Sequence, residues 1–172
     1  MPAPDLFGLL GLAPAFALDE KALEAAYFKA QRQYHPDRFV GKPEFERAAA
    51  MQRSVDANQA YRTLKEPLAR AQALLAMQGV VVGTEADTVK PAQTLLMDSI
   101  EWREAIDEAQ TPESLAAQAA ALEGHYTGCL ARITALYGAN DWPAMAQETL
   151  RLGYLIKARE AAAQKARRLN RT

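Results

Sequence analysis

Three polar side chains and a proline crowd into one short stretch, Tyr34-His35-Pro36-Asp37-Arg38. Proline cannot occupy a helix interior, and it pushes the residue before it out of the helical region. The segments on both sides carry apolar residues at helical spacing. His35 is therefore expected to end one helix, and Pro36-Asp37 to form an exposed turn held by a helix on each side. Such a turn presents an imidazole, a carboxylate and a guanidinium with no core role, which points to function. His125 and Cys129, four positions apart on a helical segment, are the other candidates, as a pair of metal ligands. A useful zinc site wants three or four ligands, and no third stands nearby, so ordinary packing is expected of them. There is no Gly-rich phosphate loop, and the chain is not expected to bind ATP. Neither a metal nor a cofactor is expected.

The elements that must position the turn follow from the flanking pattern. Asp5 to Leu10 should make one or two helical turns before Gly11 and Pro14. Asp19 suits an N-cap, and Leu23, Tyr27, Ala30 and Tyr34 recur behind it at helical spacing, with Lys21, Lys29 and Arg32 on the wet side. After Gly41-Lys42, Pro43 suits a first helical position. Phe45, Ala48, Met51, Val55, Asn58, Tyr61 and Leu64 then mark a second apolar stripe, and the two helices should pack antiparallel. Pro67 should open another helix, with Leu68, Ala71, Leu74 and Leu75 inward, ending before Gly79. Val80-Val81-Val82-Gly83 is too short and solitary for a sheet and reads as a buried connector.

Three helical stretches follow: Pro91 to Glu108, Thr111-Pro112 to about Tyr137 before Gly138, and Asp141-Trp142-Pro143 to about Arg168. Short connections make neighbours antiparallel and the three a bundle. Lys165, Arg167, Arg168 and Arg171 read as a frayed, solvated basic tail. The expected fold class is all-α, with residues 1–76 as one helical unit, 77–83 as a connector and 84–172 as the bundle.

Composition agrees. Ala carries much of the apolar content while Val, Ile and Thr are sparse, which favours helices. Lys plus Arg number 20 and Asp plus Glu 21, so no global charge argues for nucleic acid or an anionic membrane. A single cysteine excludes an internal disulfide and suits a reducing compartment. Met1 to Leu12 has no signal-peptide pattern, and no apolar run approaches the roughly 20 residues of a membrane span. A cytoplasmic location is expected.

Residues 5–65 resemble a J-domain: a short first helix, a helix ending in Tyr34-His35-Pro36-Asp37-Arg38, and a helix ending in Asn58-Gln59-Ala60-Tyr61-Arg62-Thr63-Leu64. Further on, Glu66-Pro67-Leu68-Ala69-Arg70-Ala71, Leu74-Leu75, Leu95-Leu96-Met97 and Arg103-Glu104 resemble the HscB family, J-proteins dedicated to iron–sulfur cluster assembly. The likeness covers almost the whole chain. It implies an N-terminal J-domain hairpin joined to a C-terminal three-helix bundle, and a non-enzymatic co-chaperone. Its implied partners are the DnaK-class ATPase HscA and the scaffold protein IscU. Two departures stand out. Ala25, Ala26 and Phe28 interrupt the basic face that many general J-domains carry, leaving Lys21, Lys29, Arg32 and Arg38; this suits a specialised partner. The Cys-x-x-Cys pairs of some eukaryotic relatives are missing, which implies a bacterial type without structural zinc.

The resemblance also implies two sets of contact residues. Tyr27, Lys29, Arg32, His35, Pro36, Asp37 and Arg38 would meet the chaperone. There Asp37 would accept from an arginine, and Pro36 would stiffen the turn and lower its ordering cost. His35 would donate or accept without acting as an acid–base catalyst, because the loop shifts the partner enzyme's conformational population. Lys29 and Arg32 serve either for steering or as a solvated face, and Tyr27 and Tyr34 for packing. Leu96, Met97, Ile100, Glu101, Arg103, Glu104, Glu108 and Tyr154 would meet the scaffold. Of these, Met97, Glu101, Glu104 and Glu108 share one helix face. The bland alternative puts Leu96 and Ile100 in the bundle core and leaves the acids as a solvated stripe. Rival functions are a general adaptor delivering unfolded polypeptides and a small metalloenzyme using His35, His125, Cys129 and nearby acids. A monomer is favoured.

Overall fold

Prolines and short polar side chains set most of the helix ends. The computed structural model describes residues 5–83 and 89–169. Among them are seven α-helices, one 3₁₀ turn and no strand. The helices are α1 (Leu6–Leu9), α2 (Glu20–Gln33), α3 (Glu44–Lys65), α4 (Pro67–Met77), α5 (Gln93–Glu108), α6 (Pro112–Ala139) and α7 (Trp142–Leu169), and the 3₁₀ turn is Pro36–Phe39. The chain divides into two compact units, Met1–Gly79 and Val80–Thr172.

In the first unit, Asp5 and Asp19 cap α1 and α2 by accepting from the amides of Gly8 and Lys21, both at 2.9 Å. Such caps satisfy amides that the helix leaves without partners. The partners of α2 descend along α3 as α2 ascends: Tyr27 with Asn58, Gln31 with Ser54, Tyr34 with Arg53. The pair is therefore antiparallel. α2 buries Leu23 and Ala30, and α3 buries Ala50, Ala57, Ala60 and Leu64. Side-chain hydrogen bonds between the two helices hold the turn between them at both feet. Phe7 of α1 is fully buried, and α4 buries Ala71, Leu74 and Leu75. Arg70 Nη1 donates to the Phe16 carbonyl at 2.8 Å, and its guanidinium lies over the Phe16 ring. That contact ties α4 to the α1–α2 loop.

The second unit is a three-helix bundle. Thr111 caps α6, exchanging hydrogen bonds with Ser114, and Asp141 Oδ1 accepts from Ala144 N at 3.1 Å ahead of α7. α6 and α7 run antiparallel, joined by Glu123–Arg159 at 2.6 Å and Arg132–Glu148 at 3.0 Å. α5 runs parallel to α7: Asp98 meets Arg151 at 2.6 Å near one end, and Lys165 Nζ donates to the Ile106 and Asp107 carbonyls at 2.8 and 2.7 Å near the other. Leu95 and Ile106, Leu115, Leu122 and Ile133, and Met145, Leu152 and Leu155 fill the centre.

Five details differ from the sequence reading. Pro43 caps α3 from outside rather than occupying its first position. Phe45, Met51 and Val55 are exposed; the smaller Ala50, Ala57 and Ala60 form the core stripe. α2 ends at Gln33 with Tyr34 as cap, so His35 heads the following turn instead of closing the helix. α6 runs through Gly138 to Ala139 and is ended by Asn140 in the left-handed conformation, φ 56°. Lys165, Arg167 and Arg168 belong to α7 and are not frayed; Arg171 lies outside the described residues.

Candidate functional site

The turn between α2 and α3 follows directly from its proline. The α2 cap residue Tyr34 still donates its amide to Ala30 O at 3.0 Å, and Pro36 then forbids continuation. His35 is extended, φ −62° and ψ 133°. Its Nδ1 accepts from the Asp37 amide at 3.3 Å and lies 3.5 Å from Asp37 Oδ2. The two contacts belong to different protonation states. A neutral imidazole accepts the amide through Nδ1 and carries its proton on Nε2, whereas a protonated one donates to the carboxylate. Arg38 closes the turn, its amide donating to His35 O at 3.0 Å and its Nη1 reaching Arg32 O at 3.5 Å. His35, Pro36, Asp37 and Arg38 are all exposed, so a pair between His35 and Asp37 is screened by water and adds little to stability.

A polar clamp holds the two helices beneath the turn. Tyr27 Oη donates to Asn58 Oδ1 at 2.7 Å, and Gln31 Nε2 donates to the same oxygen at 3.2 Å and to Ser54 O at 3.3 Å. Tyr27 and Tyr61 stack with ring centroids 4.4 Å apart. Nearer the turn, Arg53 Nη1 donates to Tyr34 Oη at 3.2 Å and sits over that ring. The Asn58-Gln59-Ala60-Tyr61 stretch is thus the α3 half of this clamp, with Ala60 fully buried between polar neighbours. Tyr27 is half-buried within it, while Lys29, Arg32 and Arg38 are exposed. Among the described residues, none of these three cations lies within ion-pair distance of a carboxylate. The face beside the turn is positive and unneutralised.

A second exposed face lies on α5. Leu95 is 2% exposed, whereas its neighbour Leu96 is 39%, Met97 55% and Ile100 56% exposed. Glu101, Arg103, Glu104 and Glu108 are exposed as well. The helix turns Leu95 and Ile106 inward, so its opposite side carries three large apolar side chains into solvent among carboxylates. Leu96 and Ile100 are not bundle core. Between α5 and α7 runs an open groove of about 970 Å³. It brings Ile100, Arg103 and Glu104 together with half-buried Tyr154, while Leu96, Met97, Glu101 and Glu108 lie outside its lining. Lys157, which lines the groove with its Nζ 5.9 Å from the centroid of the Tyr154 ring, was not singled out from sequence; its i, i+3 spacing from Tyr154 was the available signal.

The His125–Cys129 pair does not assemble. Cys129 is fully buried and its Sγ donates to Glu148 O at 3.2 Å. Burial first, then the neighbouring Glu148 charge, pushes its thiol up to about 12. His125 is exposed, with its ring 5.8 Å from Trp102. Among the described residues no group of three or more His, Cys, Asp or Glu side chains could hold a metal, and no helix is long and apolar enough to cross a membrane.

Comparison with known proteins addresses both units. The family model of the HSCB C-terminal oligomerisation domain matches residues 91–168. A co-chaperone protein HscB homolog of Burkholderia multivorans is 40% identical over 163 residues, covering 92% of this chain and 92% of that protein. The chain belongs to the HscB family. Co-chaperone protein HscB of Proteus mirabilis is 36% identical over 160 residues, 91% of this chain and 92% of its own. Among solved structures, chaperone HscB from Vibrio cholerae superposes with a TM-score of 0.80 at 28% identity, covering 96% of this chain and 99% of that one. Human co-chaperone protein HscB has a TM-score of 0.82 at 22% identity, over 96% of this chain and 83% of its own; that likeness is one of fold. The HscB architecture, an N-terminal J-domain and a C-terminal helical bundle, is the one seen here. The family is one of co-chaperones, not of enzymes.

Proposed function

We propose that this HscB-family chain accelerates ATP hydrolysis by the DnaK-class chaperone HscA and delivers the iron–sulfur scaffold IscU to it. The observation that carries the proposal is the His35-Pro36-Asp37 turn, exposed and yet braced at both feet by the α2–α3 clamp. A turn stiffened in this way loses little entropy on docking. Asp37 is placed to accept from a partner arginine, a charge-assisted bond stronger than a neutral one. When Nδ1 accepts from the Asp37 amide, Nε2 carries the proton and can donate to a partner. Lys29, Arg32 and Arg38 supply an attractive field for an acidic partner surface, which raises encounter rate more than affinity. Tyr27 acts by holding the clamp as well as bordering the contact. None of these groups performs hydrolysis; the turn biases the ATPase toward its hydrolysing conformation.

The scaffold would lie on the outer side of α5 and over the α5–α7 groove, against Leu96, Met97, Ile100 and Tyr154. Glu101, Arg103, Glu104 and Glu108 would form its charged border. In this proposal residues 1–76 are the J-domain, 77–83 the connector and 84–172 the scaffold-binding bundle. Carrying both contacts on one chain raises the scaffold's effective concentration at the chaperone without any new contact. The place of action would be the cytoplasm. Asp37→Asn is the test: it should abolish stimulation of HscA while scaffold affinity, measured by calorimetry, stays unchanged. Parallel loss of both, with the variant folded, overturns the division into two sites.

A further inference from the structure

Phe28 stands on the outward side of α2, where Lys21, Ala25, Phe28 and Arg32 follow at spacings of four, three and four and so share a face. The ring is 52% exposed and adds little to the core. It is nevertheless not adrift. Its inner side lies against Tyr27, with ring centroids 5.4 Å apart, and Tyr27 is fixed by Asn58 and by stacking on Tyr61. Beside it an open groove of about 550 Å³, lined by Ala25, Phe28, Gln31, Arg32, His35 and Arg38, runs to the turn. That lining holds two guanidinium groups and no carboxylate. One exposed aromatic on a helix is ordinary. An aromatic braced from behind, bordered by guanidinium groups that have no carboxylate within ion-pair distance among the described residues, and continuous with the turn is a prepared contact.

We infer that Phe28 is the apolar anchor of the chaperone contact, seated on an apolar patch that acidic side chains of the ATPase surround, and that it helps decide which ATPase the chain serves. The inference rests on the function proposed above. The physical ground is a ring set between Lys21 and Arg32 on the outward side of α2, with the exposed carboxylate of Glu24 four residues before it. Rigid aromatics give large contact area at low ordering cost, and such residues near the middle of an interface dominate its energy. Charge attraction between exposed groups is screened by salt, whereas apolar contact is not. Binding through this face should therefore be less sensitive to salt than binding through a wholly basic one.

The test is a titration of HscA ATPase rate against the wild-type chain and Phe28→Ala, Phe28→Leu and Phe28→Lys, at low and at high salt. Because the ring is half in solvent, the variants should keep the wild-type melting temperature. Phe28→Ala should raise the half-saturating concentration about tenfold, the scale of a central interface residue, while maximal stimulation is retained. Phe28→Leu should stay within about threefold of wild type, because it keeps most of the apolar surface. Phe28→Lys should weaken the interaction and steepen its salt dependence. If the wild-type chain stimulates HscA but Phe28→Ala or Phe28→Lys half-saturates within about twofold of it, on the tenfold expectation above, the anchor is refuted and the function stands. If the wild-type chain does not stimulate HscA at all, both fall together.

Discussion

Replacing Leu96, Met97 and Ile100 together by alanine should cost scaffold binding and spare the fold. The three side chains are 39%, 55% and 56% exposed, so about half of each is free to be buried by a partner. Full burial of a side chain of this size is worth about 1.5–3 kcal/mol, and half of that for three residues is roughly 3 kcal/mol. At 1.4 kcal/mol per tenfold the dissociation constant for IscU should rise by about 100-fold. Calorimetric titration with IscU reads the affinity, and thermal unfolding followed by far-ultraviolet circular dichroism reads the stability. Leu95→Ala supplies the contrast one residue away. That side chain is 2% exposed, and emptying its place should cost about 2–5 kcal/mol of stability. A triple variant that melts as early as Leu95→Ala, or that binds IscU as tightly as wild type, refutes the assignment of this face.

Two further outcomes follow from the bundle. Cys129 should resist thiol reagents at neutral pH and react only as fast as the protein unfolds, because it is fully buried. Its folded thiol ionises at about 12 against an ordinary 9.0, so the unfolded chain sheds that proton first; this contribution to stability is whole below the lower value and lost as pH rises between the two, readable as a falling denaturation midpoint. Arg151→Met removes the 2.6 Å bond to Asp98 and a cation 6.0 Å from the Trp102 ring centroid. It should cost about 1–2 kcal/mol in urea unfolding, the scale of a hydrogen bond to a charged group, and weaken IscU binding severalfold by loosening α5.

Capping chemistry made the helix ends partly readable from sequence, because it acts between near neighbours. Asp19 and Thr111-Pro112 opened helices as their types required. Packing was harder to read. In α3 the large residues Phe45, Met51 and Val55 drew the apolar stripe, but they are exposed, and the small residues Ala50, Ala57 and Ala60 are buried instead. Gly138 looked like a helix stop; a glycine in helical conformation does not end one, and Asn140 takes the left-handed position two residues later. Residue pattern alone did not tell apart the adjacent leucines of α5; only the resemblance singled out Leu96, and the phase of the helix against α7 turns Leu95 inward and leaves Leu96 partly exposed. The turn was the clearest feature, since Pro36 alone forces a break. The clamp beneath it was not, because Tyr27, Asn58 and Tyr61 meet only once two helices thirty-odd residues apart in sequence are laid side by side.

The central claim is that a braced polar turn accelerates another protein's ATP hydrolysis while a separate face carries the scaffold. Steady-state ATP turnover by HscA, measured with this chain in the absence and presence of IscU, tests it most directly. The expected result is acceleration by the chain alone and a further increase when IscU is added. Turnover that stays at the basal rate of HscA under both conditions, with the chain folded, contradicts it.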